Sequence, residues 1–282
     1  MFGRRSDGTP LKGLGIIEKA GPYFMSARND AMNMATHPLR CEPMDRWIAE
    51  QRKLGKNYSY MDIVLASIVR LYSVRPYLNR FVVRGKIFQR KGTYICMTVK
   101  KSLKDDANDT IIKVGFEGTE TIDEVKEKFA KAIQDAFKEE TKTEKEGKSF
   151  TRLPDFLFRW AMGLVRFLDN RGMLPKKLIE VSPFHTSVYV TNLKSIKTDA
   201  IYHHLYNFGT TSMFVAMGKE KDVPVVEDGK LAVGKVMNLG LVMDERPCDG
   251  FYFARSLRVW NDILTNPEVL LTPFKPEDVI NK

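Results

Sequence analysis

The chain is poor in cysteine and histidine. Its three cysteines, Cys41, Cys96 and Cys248, form no CxxC pair, which argues against a disulfide framework or a thiolate zinc site and fits a reducing compartment. The four histidines are His37, His185, His203 and His204. Adjacent histidines point in different directions in regular structure, so His203 and His204 do not chelate as a pair and no metal is expected. The phosphate loops GxGxxG and GxxxxGK[ST], the HExxH helix and the GxSxG elbow are also missing, and with them the chemistries those motifs announce. No apolar run is long enough for a signal peptide or a membrane span. Residues 1–22 lack an apolar core, and the most hydrophobic helical stretch, Phe156 to Leu168, is broken by Arg159 and Arg166. A soluble, cytoplasmic protein is expected.

What is present is an ordinary globular composition. At 282 residues, 43% apolar and 28% charged, the chain suits one large domain with a substantial core. Lysine and arginine exceed aspartate and glutamate by ten, enough to steer anionic partners. The basic residues are scattered, however. The run from Arg80 to Lys91 reads as a hairpin turning at Arg84-Gly85, and no nucleic-acid motif appears. Nucleic acid is not an expected partner.

Patterning predicts a loop-rich arm over residues 1–24 and a short strand from Ala31 to Thr36. A helix over Glu42–Leu54 follows, then a buried helix capped by Ser59 and Asp62 and stopped at Pro76. Thr93–Val99 and Thr110–Phe116 read as strands. Thr121 and Glu124 form a capping box ahead of a helix whose stripe is Val125, Phe129, Ala132, Ile133, Ala136 and Phe137. Residues 139–148 form a mixed-charge tract expected to be solvated. Phe156–Leu168 reads as a core or interface helix, with a helix that lies on a membrane surface or lines an acyl-chain channel as the sharper alternative; membrane contact is not expected. Ser187–Leu193, Ser212–Met217, Val223–Val226 and Leu231–Met243 read as strands, the last two joined at Asp228-Gly229. Two short α/β halves sharing one sheet account for this order.

One corner organises the chain. The near-continuous apolar strand Val236–Met243 runs into Asp244-Glu245-Arg246, turns at Asp249-Gly250 and enters a helix carrying Phe253, Leu257, Trp260 and Leu264. Charged groups at such an edge are a common place for chemistry.

This corner resembles the end of the catalytic domain of the dihydrolipoamide acyltransferases, the core subunits of 2-oxoacid dehydrogenase complexes, which share a fold with chloramphenicol acetyltransferase. That family carries a strand followed by Asp-His-Arg-x-x-Asp-Gly or His-His-x-x-x-Asp-Gly. Upstream, Ser187-Val-Tyr-Val-Thr-Asn-Leu193 resembles the family's strand ending in Ser/Thr-Asn-Leu-Gly, and Arg75-Pro-Tyr-Leu-Asn79 its Pro-x-x-Asn element. The resemblance implies an α/β fold, an α+β two-layer sandwich in which helices pack on a mixed sheet, over one domain from 1 to 282 with no lipoyl or subunit-binding domain. It implies coenzyme A, as acyl-CoA, for substrate, an acyl acceptor, and a homotrimer or an assembly of trimers with the site between subunits. Thr191 falls where a hydroxyl stabilises the oxyanion, Asp249 where the family has its aspartate, and Glu245 where the family has the histidine that deprotonates the attacking thiol.

That last substitution is the main departure; Lys194 and Lys197 also replace two glycines beside the oxyanion position. A thiol has a pKa of about 8.5, an imidazole about 6.5 and a carboxylate about 4.3, so proton transfer is uphill by about 2 units to histidine and about 4 to glutamate. The difference is roughly 3 kcal/mol, about a hundredfold in rate. Two readings follow: an acyltransferase with Glu245 as general base, or a catalytically silent trimeric scaffold of the same fold.

Overall fold

The computed structural model describes residues 5–100, 109–138 and 154–275. Six strands form the main sheet: β2 (Met32–Arg40), β5 (Thr93–Lys100), β6 (Asp109–Phe116), β7 (Val188–Asn192), β8 (Met213–Glu227) and β9 (Lys230–Asp244). Their order is β2-β9-β8-β7-β5-β6. β7 runs parallel to β5 and β8, and the other neighbours are antiparallel. A smaller antiparallel sheet joins β1 (Gly8–Pro10), β4 (Lys86–Arg90) and β3 (Arg80–Val83), with β4 in the middle. This is the mixed α/β arrangement that the resemblance implies.

Four helices build the core against one face of the main sheet: α2 (Glu42–Lys53), α3 (Tyr60–Val74), α4 (Ile122–Lys138) and α7 (Gly250–Thr265). The apolar-all-round α3 is buried along nearly its whole length, as such a pattern demands. Ser59 and Asp62 close its capping box, and Thr121 and Glu124 close that of α4. Trp260 of α7 is fully buried and donates its indole N–H to Ser67 Oγ of α3 at 2.7 Å. Trp260→Ala opens a large cavity and removes the indole hydrogen bond, while Ser67 keeps its own donation to the Val64 carbonyl, so urea unfolding should show a loss of about 3–5 kcal/mol.

The second face of the sheet is covered as well. Leu205 packs on Phe214 and Val242, and a Cβ at Gly240 would collide with the Ile201 carbonyl oxygen of the same crossing loop. Burial on both faces explains why β9 reads as a continuous apolar run rather than an alternating one.

Several expectations change. The arm over residues 1–24 contains β1 and a helix, α1 (Ile16–Phe24), with Pro22 inside it. The strand predicted at 31–36 runs on to Arg40, because β2 pairs with β9 along its full length. Ser212–Met217 and Val223–Val226 form one strand, β8, with a register shift between Met217 and Glu220. Phe137 is half exposed, outside the buried stripe of α4. Phe156–Leu168 lies within α5 (Asp155–Arg171), where Phe156, Leu157, Trp160, Leu164 and Phe167 are exposed and no apolar side chain is fully buried; the short α6 (Lys176–Val181) follows it. The mixed-charge tract at 139–148 lies outside the described residues.

Candidate active site

The corner after β9 is built on a buried ion cluster. Asp244 is fully buried at the strand end. Arg246 grips it with a fork, Nε to Oδ1 and a terminal nitrogen to Oδ2, both at 2.8 Å. Arg28, 216 positions earlier, donates Nε to Oδ2 at 3.2 Å and its terminal nitrogens to the carbonyls of Tyr206 and Gly209. Burial pulls the Arg28 pKa down against the raising field of Asp244. Two arginines therefore share one carboxylate beneath the corner, the planar donor geometry for which arginine is suited.

Glu245 turns the chain out of the sheet. Its N–H donates to the Ala31 carbonyl at 2.9 Å, and its carbonyl accepts from the Cys248 N–H at 3.3 Å. The side chain is half-buried and has no hydrogen bond or ion pair among the described residues. Arg246, its neighbour in sequence, is committed to Asp244. The cluster thus leaves one carboxylate, that of Glu245, without a cation of its own. Cys248 next to it is buried, which pushes its thiol up to about 12 and keeps it protonated. Asp249 is exposed and accepts the Tyr252 N–H at 2.8 Å, capping α7.

Thr191 lies near the C-terminal end of β7, half-buried. It pairs with Ala216, which pairs with Gly240. Glu245 lies five residues beyond Gly240, just past the end of the antiparallel β9, at the other end of the sheet. Five residues at about 3.4 Å and two strand spacings of about 4.8 Å put the two roughly 20 Å apart. Within one chain they do not meet. Beside Thr191, Lys194 pairs with Glu220 and lies over the Tyr60 ring. Lys197 adopts φ +58°, the left-handed backbone that a glycine takes without strain.

A second buried cluster escapes sequence reasoning. Arg5 bridges Asp7, at 2.8 Å, and Asp169, at 2.7 Å, and His185 Nε2 sits 3.1 Å from Asp169. His185 Nδ1 meets Ser182 Oγ at 2.8 Å. Burial lowers the His185 pKa, with Asp169 partly offsetting it. Burial alone would raise Asp7 and Asp169; hydrogen bonds and the charges of Arg5 and His185 outweigh it, and both carboxyls are lowered. All three groups bind protons less readily when folded. The histidine's contribution is present above its unfolded pKa of about 6.5, and the carboxylates' above about 3.9; both are lost as pH falls. The urea midpoint should therefore decline from pH 7 to 5, and His185→Gln should flatten that first decline. No spacing rule links positions 5, 7, 169 and 185.

Residues 187–272, the span from β7 through α7 that holds Thr191, Glu245 and Asp249, match the family described as 2-oxoacid dehydrogenases acyltransferase (catalytic domain). No curated protein matches in sequence. Among solved structures, a probable dihydrolipoamide acetyltransferase from Listeria monocytogenes is 13% identical with a TM-score of 0.57, covering 92% of this chain and 95% of that one. A truncated catalytic core of the 2-oxoacid dehydrogenase multienzyme complex from Thermoplasma acidophilum is 12% identical with a TM-score of 0.57, covering 92% and 99%. Chloramphenicol acetyltransferase is 13% identical with a TM-score of 0.51, covering 91% and 99%. At such identities the likeness is one of fold.

Proposed function

We propose that this chain, which carries the catalytic-domain fold of the 2-oxoacid dehydrogenase acyltransferases, is a coenzyme A-dependent acyltransferase in which Glu245 is the general base. The observation that carries this reading is the division of charge at the corner. Asp244 absorbs Arg28 and Arg246, and the Glu245 carboxylate stands half-buried with no cation to hold it among the described residues. A free carboxylate at that position can accept the proton of a thiol as its sulfur attacks an acyl thioester. The bond to the incoming sulfur forms, the tetrahedral oxyanion takes a hydrogen bond from Thr191, and the departing thiolate is reprotonated by the same carboxyl.

The site is shared between copies of the chain. Glu245 and Thr191 lie at opposite ends of one sheet, too far apart to act on one substrate. In a homotrimer, or a larger assembly of trimers, Glu245 of one copy can face Thr191 of the next. The catalytic cores with this fold come from multienzyme complexes, which supports such an assembly. Asp249 holds the start of α7 and so fixes the turn that carries Glu245.

Acetyl-CoA with dihydrolipoamide as acceptor tests the reading through release of free coenzyme A. Turnover that Glu245→Gln abolishes supports it. An inert wild-type chain that gains activity as Glu245→His overturns it and makes the protein a silent scaffold of the same fold.

A further inference from the structure

None of the residues given a role in the proposed acyl transfer lies on α5. On the helix, Phe156, Trp160, Leu164 and Phe167 recur at spacings of four, four and three and form one stripe. Phe156 is 70% exposed, Trp160 68% and Phe167 51%. The opposite stripe, Phe158, Ala161, Met162, Val165 and Leu168, is partly shielded, and the one fully buried residue of the helix is Asp169. The helix therefore has two apolar faces, and one of them stands in the open. Arg159 and Arg166 lie along one edge of the open face, and both are exposed.

Beside the C-terminal half of α5 runs a basic cleft. A cavity of about 240 Å³ has Arg84 and Arg166 in its walls, and an adjoining one of about 470 Å³ has Arg84, Lys86 and Arg171. Arg84 stands in the left-handed region at φ +50°, in the turn between β3 and β4, a backbone cost that a long side chain seldom carries. None of Arg84, Lys86, Arg159, Arg166 and Arg171 has an ion-pair partner among the described residues. The one acid on the cleft wall, Asp169, is already held by Arg5 and His185.

We propose that α5 lies in the plane of an anionic lipid bilayer. Phe156, Trp160 and Phe167 enter the boundary between headgroups and acyl chains, and Arg84, Lys86, Arg166 and Arg171 take up lipid phosphates. The charge pattern selects this occupant. An apolar stripe edged by unpaired arginines is complementary to a surface that is apolar below and negative above. A second copy meeting this face through its own would set Arg159 and Arg166 against their equivalents. The apolar stripe is independent of the acyl-transfer reading, while the smaller cavity also has Arg28 and Arg246 of the corner in its walls. The proposal reverses the expectation of no membrane contact.

The test uses the full chain with vesicles of phosphatidylcholine alone and vesicles that also contain phosphatidylglycerol. Of the three tryptophans, Trp47 and Trp260 are buried and Trp160 is exposed, so a blue shift in emission reports Trp160. The expected result is flotation and a blue shift with the anionic vesicles only, both weakened by salt. Arg84→Glu with Arg166→Glu should weaken binding by about tenfold or more, and Phe156→Ser with Phe167→Ser should abolish the blue shift. No flotation, or flotation equal on both vesicle types, overturns the proposal. So does a fall in assembly mass by light scattering on the Phe156→Ser, Phe167→Ser variant, which would assign the stripe to a second copy.

Discussion

Glu245→Gln lowers acyl exchange by about 10²- to 10⁴-fold, the range that a positioned general base contributes, with stability unchanged. The substitution keeps the size and shape of the side chain and removes its proton affinity. The residue's structural work is done by its backbone, through Ala31 and Cys248, and its side chain has no partner to lose. A folded and inactive protein is therefore the expected product. Glu245→His acts in the opposite direction. An imidazole is a stronger base than a carboxylate by about 2 pK units, so exchange should rise by up to a hundredfold. The gain depends on the ring fitting the half-buried space beside Arg246, whose guanidinium is fixed on Asp244 and does not swing into that space. Steady-state release of coenzyme A measures both variants.

Asp244→Ala is the second large effect, and it falls on stability. The carboxylate is fully buried between Arg28 and Arg246. Removing it leaves two buried guanidiniums facing each other without a counter-charge. Breaking a buried pair in this way costs about 3–5 kcal/mol, and here two cations are stranded, so the upper part of that range is expected from urea unfolding. A double variant, Asp244→Ala with Arg28→Met, should recover part of the loss, because one uncompensated charge goes with it. A cost below about 1 kcal/mol for Asp244→Ala would be that of a surface ion pair and would contradict this account of the corner.

The sequence carried the elements well where a local rule applied. The capping boxes at Ser59 and Thr121, the hairpin turns at Arg84-Gly85 and Asp228-Gly229 and the run Val236–Met243 each have a cause within a few residues, and each appears in the structure. The motif at 244–250 also located the corner. What was not legible depends on distant partners. Arg28 and Asp244 are 216 positions apart, so the second arginine on that buried carboxylate has no signature in either segment. The helix α1 was hidden by glycine and proline in a short basic arm, and its Pro22 falls where a helix-breaking residue argues for a loop. In α5 the apolar periodicity was plain, but periodicity does not say which face meets the protein. The roughly 20 Å between Thr191 and Glu245 follows from strand directions that the motifs alone do not contain.

The central claim is that Glu245 of one copy works with Thr191 of another. Co-expression of a Glu245→Gln chain with a Thr191→Val chain tests it most directly. Each variant alone lacks an essential group at every site. In mixed assemblies, some sites pair the intact Glu245 of one chain with the intact Thr191 of its neighbour. The predicted result is coenzyme A release well above that of either variant assembled alone. The contradicting result is a mixture as inactive as its parents, beside a wild-type chain that turns over.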